Sequence, residues 1–175
     1  MNKVNLLMEA ISFSARAHSG QKRKDKQTPY ASHPFRVCMT LRHVFGVEDE
    51  LVLAAAVLHD TIEDTTTDYD DVKKYFSDEI ATWVGLLSKD KRKEETQREE
   101  HYFEQLRTSP LEVKLIKLAD AYDNLIDSPN AGSGRHVEKT LNKCNKYIET
   151  FKDEKNPSLI RAIEILEDVM KTIAR

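Results

Sequence analysis

Eight consecutive apolar residues, Leu51 to Leu58, run directly into an ionisable pair, His59-Asp60. A helix over this run is apolar on every face, so it belongs at the centre of a bundle and not on its surface. It is too short to cross a bilayer, which takes about 20 residues in a helix. Its end carries two ionisable groups to the edge of an apolar core, where unpartnered charge is expensive. An isolated His-Asp dipeptide reads more simply as a solvated turn, so its meaning depends on what else the chain supplies.

The rest of the sequence is also helical in character. Only 5 Gly and 5 Pro interrupt 175 residues, and Glu, Lys, Leu and Ala abound. No segment alternates apolar and polar residues long enough to make a strand. The expected fold class is all-α, one helical bundle spanning residues 1–175. The spacing of Val4, Leu7, Met8, Ile11 and Ala15 predicts a first helix, closed near Ser19-Gly20 by a left-handed glycine. A loop over Gln21 to Ser32 precedes a second helix, from His33-Pro34 to Gly46. Glu48-Asp49 opens the central helix. Thr67 with Asp70 suggests a capping box, and Ser77 the start of another helix with Ile80, Trp83, Val84 and Leu87. Lys89 to His101 is nearly all charged and reads as a solvated helix or a mobile segment. Ser109-Pro110-Leu111-Glu112 reads as N-cap, proline in the first turn and a third-position glutamate. The helix it opens runs past Asp120 to a turn-rich break at Asp127 to Gly134. Helices about 135–175 follow, the last opened by Asn156-Pro157.

Composition narrows the class of function. With 27 basic residues against 30 acidic, a net charge of -3, no basic face for nucleic acid is expected. No run is long enough for a membrane span and no signal peptide is visible, so no membrane partner is expected. Cys38 and Cys144 stand apart with no metal-type spacing, which fits a cytoplasmic protein.

Chemistry gathers around four residues. His33 opens one helix, His59-Asp60 ends the central one, and Asp120 interrupts an apolar stretch of a third. Together they form a mixed nitrogen and oxygen set that suits a divalent transition ion. Asn124 follows Asp120 by one turn, so both share a helix face. His18, His43, His101 and His136 lack partners at comparable spacing and read as surface or helix-end residues.

His33-Pro34, then His59-Asp60-Thr61-Ile62-Glu63-Asp64, then Lys117-Leu118-Ala119-Asp120 with Asn124, resemble the HD metal-dependent phosphohydrolase superfamily. The match is nearest to the (p)ppGpp hydrolase domain of RelA/SpoT-type proteins and their small stand-alone relatives. Gln21-Lys22-Arg23-Lys24-Asp25 and Thr28-Pro29-Tyr30 extend it, so that it covers about residues 4–127. The resemblance implies an HD-type helical fold and one divalent metal ion, usually manganese, held by His33, His59, Asp60 and Asp120. It implies that Glu63 and Asp64 position or activate the attacking water. It implies that Arg23, Lys24 and Asn124 meet a small-molecule nucleotide substrate. The implied reaction removes the 3′-pyrophosphate of guanosine tetra- or pentaphosphate.

The chain departs from its relatives at three points. Ala121 stands where they have a basic residue after the last ligand. Asp123 is acidic near the expected position of an anionic substrate. Lys26-Gln27 stand where relatives often have glycine. Ala121 and Asp123 keep open an HD-type hydrolase of another phosphorylated compound. A non-catalytic nucleotide-binding module is the third alternative, though such a module has no evident need of Glu63 and Asp64.

Overall fold

The computed structural model describes residues 3–92, 94–131 and 134–174. The side chain of Val4, residue Lys93 and residues 132–133 of the turn-rich break lie outside the described residues. The elements are α1 (Lys3–Ala17), α2 (Ser32–Thr40) with a π-helical turn (Leu41–Phe45), α3 (Glu50–Leu58), α4 (Thr61–Asp64), α5 (Tyr69–Tyr75) and α6 (Asp78–Leu87). They continue with α7 (Glu95–Thr108), α8 (Leu111–Asp127) running into a 3-10 turn (Ser128–Ala131), α9 (Gly134–Phe151) and α10 (Pro157–Ile173). Among the described residues there is no strand, only an isolated bridge between Lys22 and Pro29. None of the helices is long and apolar enough to cross a membrane.

α3 is the axis of the bundle. Every side chain from Leu53 to Leu58 is fully buried, and α1, α2, α6 and α8 all pack on it. α2, α9 and α10 pack on α8, the second central helix. Where α9 meets α8, the buried Cys144 places its Sγ 3.9 Å from the carbonyl oxygen of Ala121.

Helix starts follow side-chain chemistry. Asp49 accepts from the Leu51 amide at 2.9 Å, Ser77 from Ile80 at 3.1 Å and Asn156 from Ser158 at 2.9 Å. Gly20 and Gly46 adopt φ of 79° and 76°, the left-handed conformation that glycine takes without a Cβ penalty. Three local expectations are corrected. The capping box is Asp68 with Asp71, one residue beyond Thr67 and Asp70. Ser109 does not cap α8; its hydroxyl donates to the Gln105 carbonyl at the end of α7. α2 starts at Ser32, one residue before His33.

The inward face of α1 is also corrected. Met8 is 59% exposed, whereas Leu6, Ala10, Ser14 and then His18 are buried. These four recur every fourth residue along one face. Ala10 and Ser14 are small, so α1 lies close to α3, and counting only large apolar residues misplaces the face.

Candidate active site

α3 ends where its last carbonyls find side-chain donors. The His59 Nδ1 donates to the Ala56 carbonyl at 2.9 Å, and the Thr61 hydroxyl to the Leu58 carbonyl at 2.7 Å. The first bond fixes the His59 tautomer, leaving Nε2 as the ring atom able to accept a metal. His33, on the first turn of α2, has the same arrangement by different means. Its Nδ1 donates to Asp123 at 2.7 Å, and its Nε2 points at Asp120 Oδ1, 3.1 Å away.

His33, His59 and Asp60 each offer a ligand atom within 4.8 Å of the others, and all three are buried. Asp120 Oδ1 lies beside this group, 3.1 Å from His33 Nε2 and 3.8 Å from His59 Nε2. Asp60 Oδ2 lies 3.6 Å from His59 Nε2. It is a buried oxygen with no hydrogen-bond partner, and a buried carboxylate oxygen normally has one. The donor set and this orphaned oxygen fit a divalent cation. The four residues whose spacing suggested a metal site therefore converge from α2, the α3–α4 junction and α8.

The electrostatics of the cluster are those of paired charges. Burial opposes ionisation of Asp60, but the neighbouring His59 ring and the hydrogen bond from His18 hold its carboxyl below the usual range. Burial likewise opposes ionisation of Asp120, which Lys117 and His33 outweigh, driving its pKa well down. For His33, burial disfavours the charged ring, yet hydrogen bonds to Asp120 and Asp123 raise its pKa to about 9. A metal held by such a set would displace the proton between His33 and Asp120.

His18 corrects an expectation. It is no surface residue: it sits just past α1, 2% exposed. Its Nε2 bonds Asp60 Oδ1 at 3.1 Å and its Nδ1 the Gln21 side-chain oxygen at 2.9 Å. Both ring nitrogens face acceptors; burial opposes a charge on the ring, while Asp60 and Gln21 raise its pKa. Gln21 in turn donates to the Asp64 carbonyl at 2.7 Å. The other three histidines behave differently. His43 and His101 are exposed, and His136 is half-buried, with Lys24 Nζ 3.2 Å from its Nε2.

Asp120 also borders a cavity of about 320 Å³. Arg23, Lys24, Lys117, Asn124, Lys139 and Lys143 line it, beside the small Ala121. The three residues expected to meet substrate are thus together. Arg23 donates to Asp127 at 2.9 Å and to the Asn124 oxygen at 3.0 Å. Asn124 donates to Asp120 at 2.5 Å, which links the cavity to the cluster. Lys117 pairs with Asp120 at 2.7 Å, and its ammonium lies over the rings of Tyr102 and Tyr147, 5.4 and 5.1 Å from their centroids. The acidic wall residues Asp120 and Asp127 are engaged with basic partners. Lys139 and Lys143 have no ion-pair partner among the described residues.

Glu63 and Asp64 stand on α4, one turn beyond Asp60, and line neither the cavity nor the ligand group. The Glu63 carboxylate accepts from the Lys89 amide at 3.0 Å. Asp64 meets Lys91 Nζ at 3.0 Å and the Tyr30 hydroxyl at 3.4 Å. The charged stretch after α6 thus does more than carry a solvated helix, since its first residues hold both carboxylates.

Asp123 is the other correction. It is not a free negative charge on the cavity rim. It is 5% exposed and accepts from His33 Nδ1 and from two nitrogens of Arg36, at 2.6 and 3.0 Å. Neither Arg36 nor His18 stood out in the sequence. A single arginine on a helix, or a lone histidine after one, carries no spacing signal.

The HD domain family matches residues 10–144 of the chain. The human protein named guanosine-3′,5′-bis(diphosphate) 3′-pyrophosphohydrolase MESH1 is 43% identical over 138 residues, 76% of this chain and 77% of that protein. The Xenopus tropicalis protein of the same name is 36% identical over 149 residues, 82% and 83% of the two chains. A solved structure described as "A metazoan ortholog of SpoT hydrolyzes ppGpp and plays a role in starvation responses" aligns over 95% of this chain and 94% of its own. Its TM-score is 0.82 at 29% identity.

Proposed function

Because the chain belongs to the HD domain family, we propose that it is a metal-dependent hydrolase of guanosine 3′,5′-bis(diphosphate)-type alarmones that removes their 3′-pyrophosphate. The similarity to the human and frog pyrophosphohydrolases over about three-quarters or more of each chain supports the reaction. The observation that carries the chemistry is a buried His/Asp cluster that touches, through Asp120, a basic cavity.

In this reading His33, His59, Asp60 and Asp120 hold one divalent ion, manganese by preference. A bound ion of this kind supplies a water of lowered pKa and polarises a phosphoryl oxygen. Glu63 or Asp64 accepts the proton of the attacking water or steers it in line. Arg23 and Lys24 offset phosphate charge, Arg23 through the parallel donors of its guanidinium. Asn124 keeps Arg23 in register with Asp120, through one hydrogen bond to each. Water attacks the 3′-linked phosphorus, the bond from that phosphorus to the ribose 3′-oxygen breaks, and the 3′-oxygen leaves and takes up a proton, giving pyrophosphate and GDP or GTP.

Residues 1–175 are read as one HD-type domain, with its motifs in about 4–127 and its C-terminal helices in about 135–175. The two buried, unpaired cysteines support a reducing, cytoplasmic setting. Ala121 favours one competing reading, an HD hydrolase of another phosphorylated compound, because it lines the cavity with a methyl group where relatives have a basic residue.

Incubation with ppGpp and Mn²⁺, with and without a chelator, separates the two. Chelator-sensitive release of pyrophosphate and GDP is expected. Turnover of a different phosphate ester, with ppGpp left intact, would sink the alarmone assignment.

A further inference from the structure

Asp123 and Arg36 form a contact that the reaction just described does not use. Asp123 lies on α8, three residues after Asp120, and its carboxylate is buried between α8 and α2. A buried carboxylate needs compensation. Here Arg36, one turn beyond His33 on α2, supplies a two-pronged clamp, Nε at 2.6 Å from one oxygen and an Nη at 3.0 Å from the other. The same guanidinium reaches Asp127 at 3.4 Å, and Asp127 holds Arg23 at 2.9 Å. Two carboxylates and two arginines thus alternate beside the cluster.

The clamped carboxylate has one more partner. Asp123 Oδ2 takes the Nδ1 proton of His33 at 2.7 Å, while the opposite ring atom, Nε2, faces Asp120 Oδ1 at 3.1 Å. A turn of the ring about χ2 replaces both polar contacts with C–H groups. The rings of Tyr30 and His59 stand edge-on at 5.7 and 5.1 Å and limit tilting. His59 has its Nδ1 fixed by a backbone carbonyl within its own helix. The His33 ring is held instead by a side chain from α8.

We propose that Asp123, locked by Arg36, is a positioning residue of the metal centre, fixing the His33 ring with Nε2 directed at the ion. The role rests on the metal-centre reading above. A carboxylate behind a ligating histidine sets its tautomer and raises its basicity, and loss of such a partner costs about 10–100-fold in metal affinity or activity.

The test is Mn²⁺ binding by the metal-free full-length protein, read from the free-ion signal in electron paramagnetic resonance, with no substrate present. Asp123→Asn is expected to weaken Mn²⁺ binding about 10–100-fold and to change the spectrum of the bound ion. Asp123→Glu, which returns a carboxylate, recovers part of that loss. Arg36→Gln, at a side chain that is 39% exposed, gives a smaller loss in the same direction and serves if Asp123→Asn does not fold. A purely structural role would lower thermal stability and leave the Mn²⁺ affinity of the folded protein alone. Unchanged affinity in every folded variant overturns the proposal. A wild-type protein that takes up no Mn²⁺ overturns the metal-centre reading and this role with it, before any variant is compared.

Discussion

Asp60 shows how unevenly polar groups are satisfied at the cluster. One of its oxygens is held by His18, while the other is buried and has no partner. Replacing it with alanine removes a ligand atom and the hydrogen-bond partner of the buried His18. Asp60→Ala is therefore expected to abolish both Mn²⁺ uptake, measured by metal analysis, and pyrophosphate release. Glu63→Gln is expected to keep the metal and lose most turnover; unchanged rates in that variant would take Glu63 out of the mechanism. A different kind of residue effect sits at Lys26, whose φ of 61° is left-handed. That conformation costs a non-glycine residue about 1–2 kcal/mol, and the turn is held by Asp25 accepting from the Gln27 and Thr28 amides. Lys26→Gly should be neutral or stabilising by up to about 1 kcal/mol, read by urea denaturation. At this scale the sequence was informative where residue identity and order carry the signal, as in His59-Asp60 and Asp120. It was silent on His18, Arg36 and the pairing of Asp123, because those contacts join residues 42, 87 and 90 positions apart.

Helices were legible where one side-chain type dominates a segment. The apolar run of α3 gave its burial directly, and Ser77 and Asn156 gave their caps. The face of α1 was misread because Ala10 and Ser14 bury without being large. The register of the α5 cap slipped by one because Thr67, Asp68, Asp70 and Asp71 are all plausible cap residues. Close packing has a measurable corollary in α3. Its alanines are wholly buried against four other helices, so there is no room for an isobutyl group. Ala55→Leu is expected to destabilise the fold by about 1–3 kcal/mol, measured by chemical denaturation. Since α3 delivers His59 and Asp60, that variant should also bind Mn²⁺ less tightly.

For the molecule as a whole, net charge misleads about the cavity. The chain carries -3, yet the wall opposite Asp120 holds Lys139 and Lys143 without acidic partners among the described residues. Lys143 is exposed, and partial desolvation beside the cavity, together with the positive charge of Lys89 after α6 and Lys117 on α8, pushes its pKa down to about 8, with Glu99 on α7 and Asp120 on α8 pulling the other way. A lowered lysine pKa means the cation is present below that pH and lost above it. Substrate affinity should then be highest below pH 8 and weaken as pH rises through it. KM for ppGpp measured on both sides of that value, in wild type and in Lys143→Met, checks this: the variant has a raised KM and no inflection there. The joint between α8 and α9 also supplies a chemical clock. Cys144 lies against Ala121 with its thiol pushed up to about 12 by burial and by Asp120. Cys144 also lines the cavity, so an alkylating reagent is expected to approach it from there. Its rate of labelling therefore reports access to the cavity, with the buried Cys38 of α2, which does not line it, as an internal reference. A nucleotide bridging Arg23 before α2 to Lys143 on α9 ties the two sides together, so bound substrate should slow the reaction of Cys144 and leave that of Cys38 unchanged.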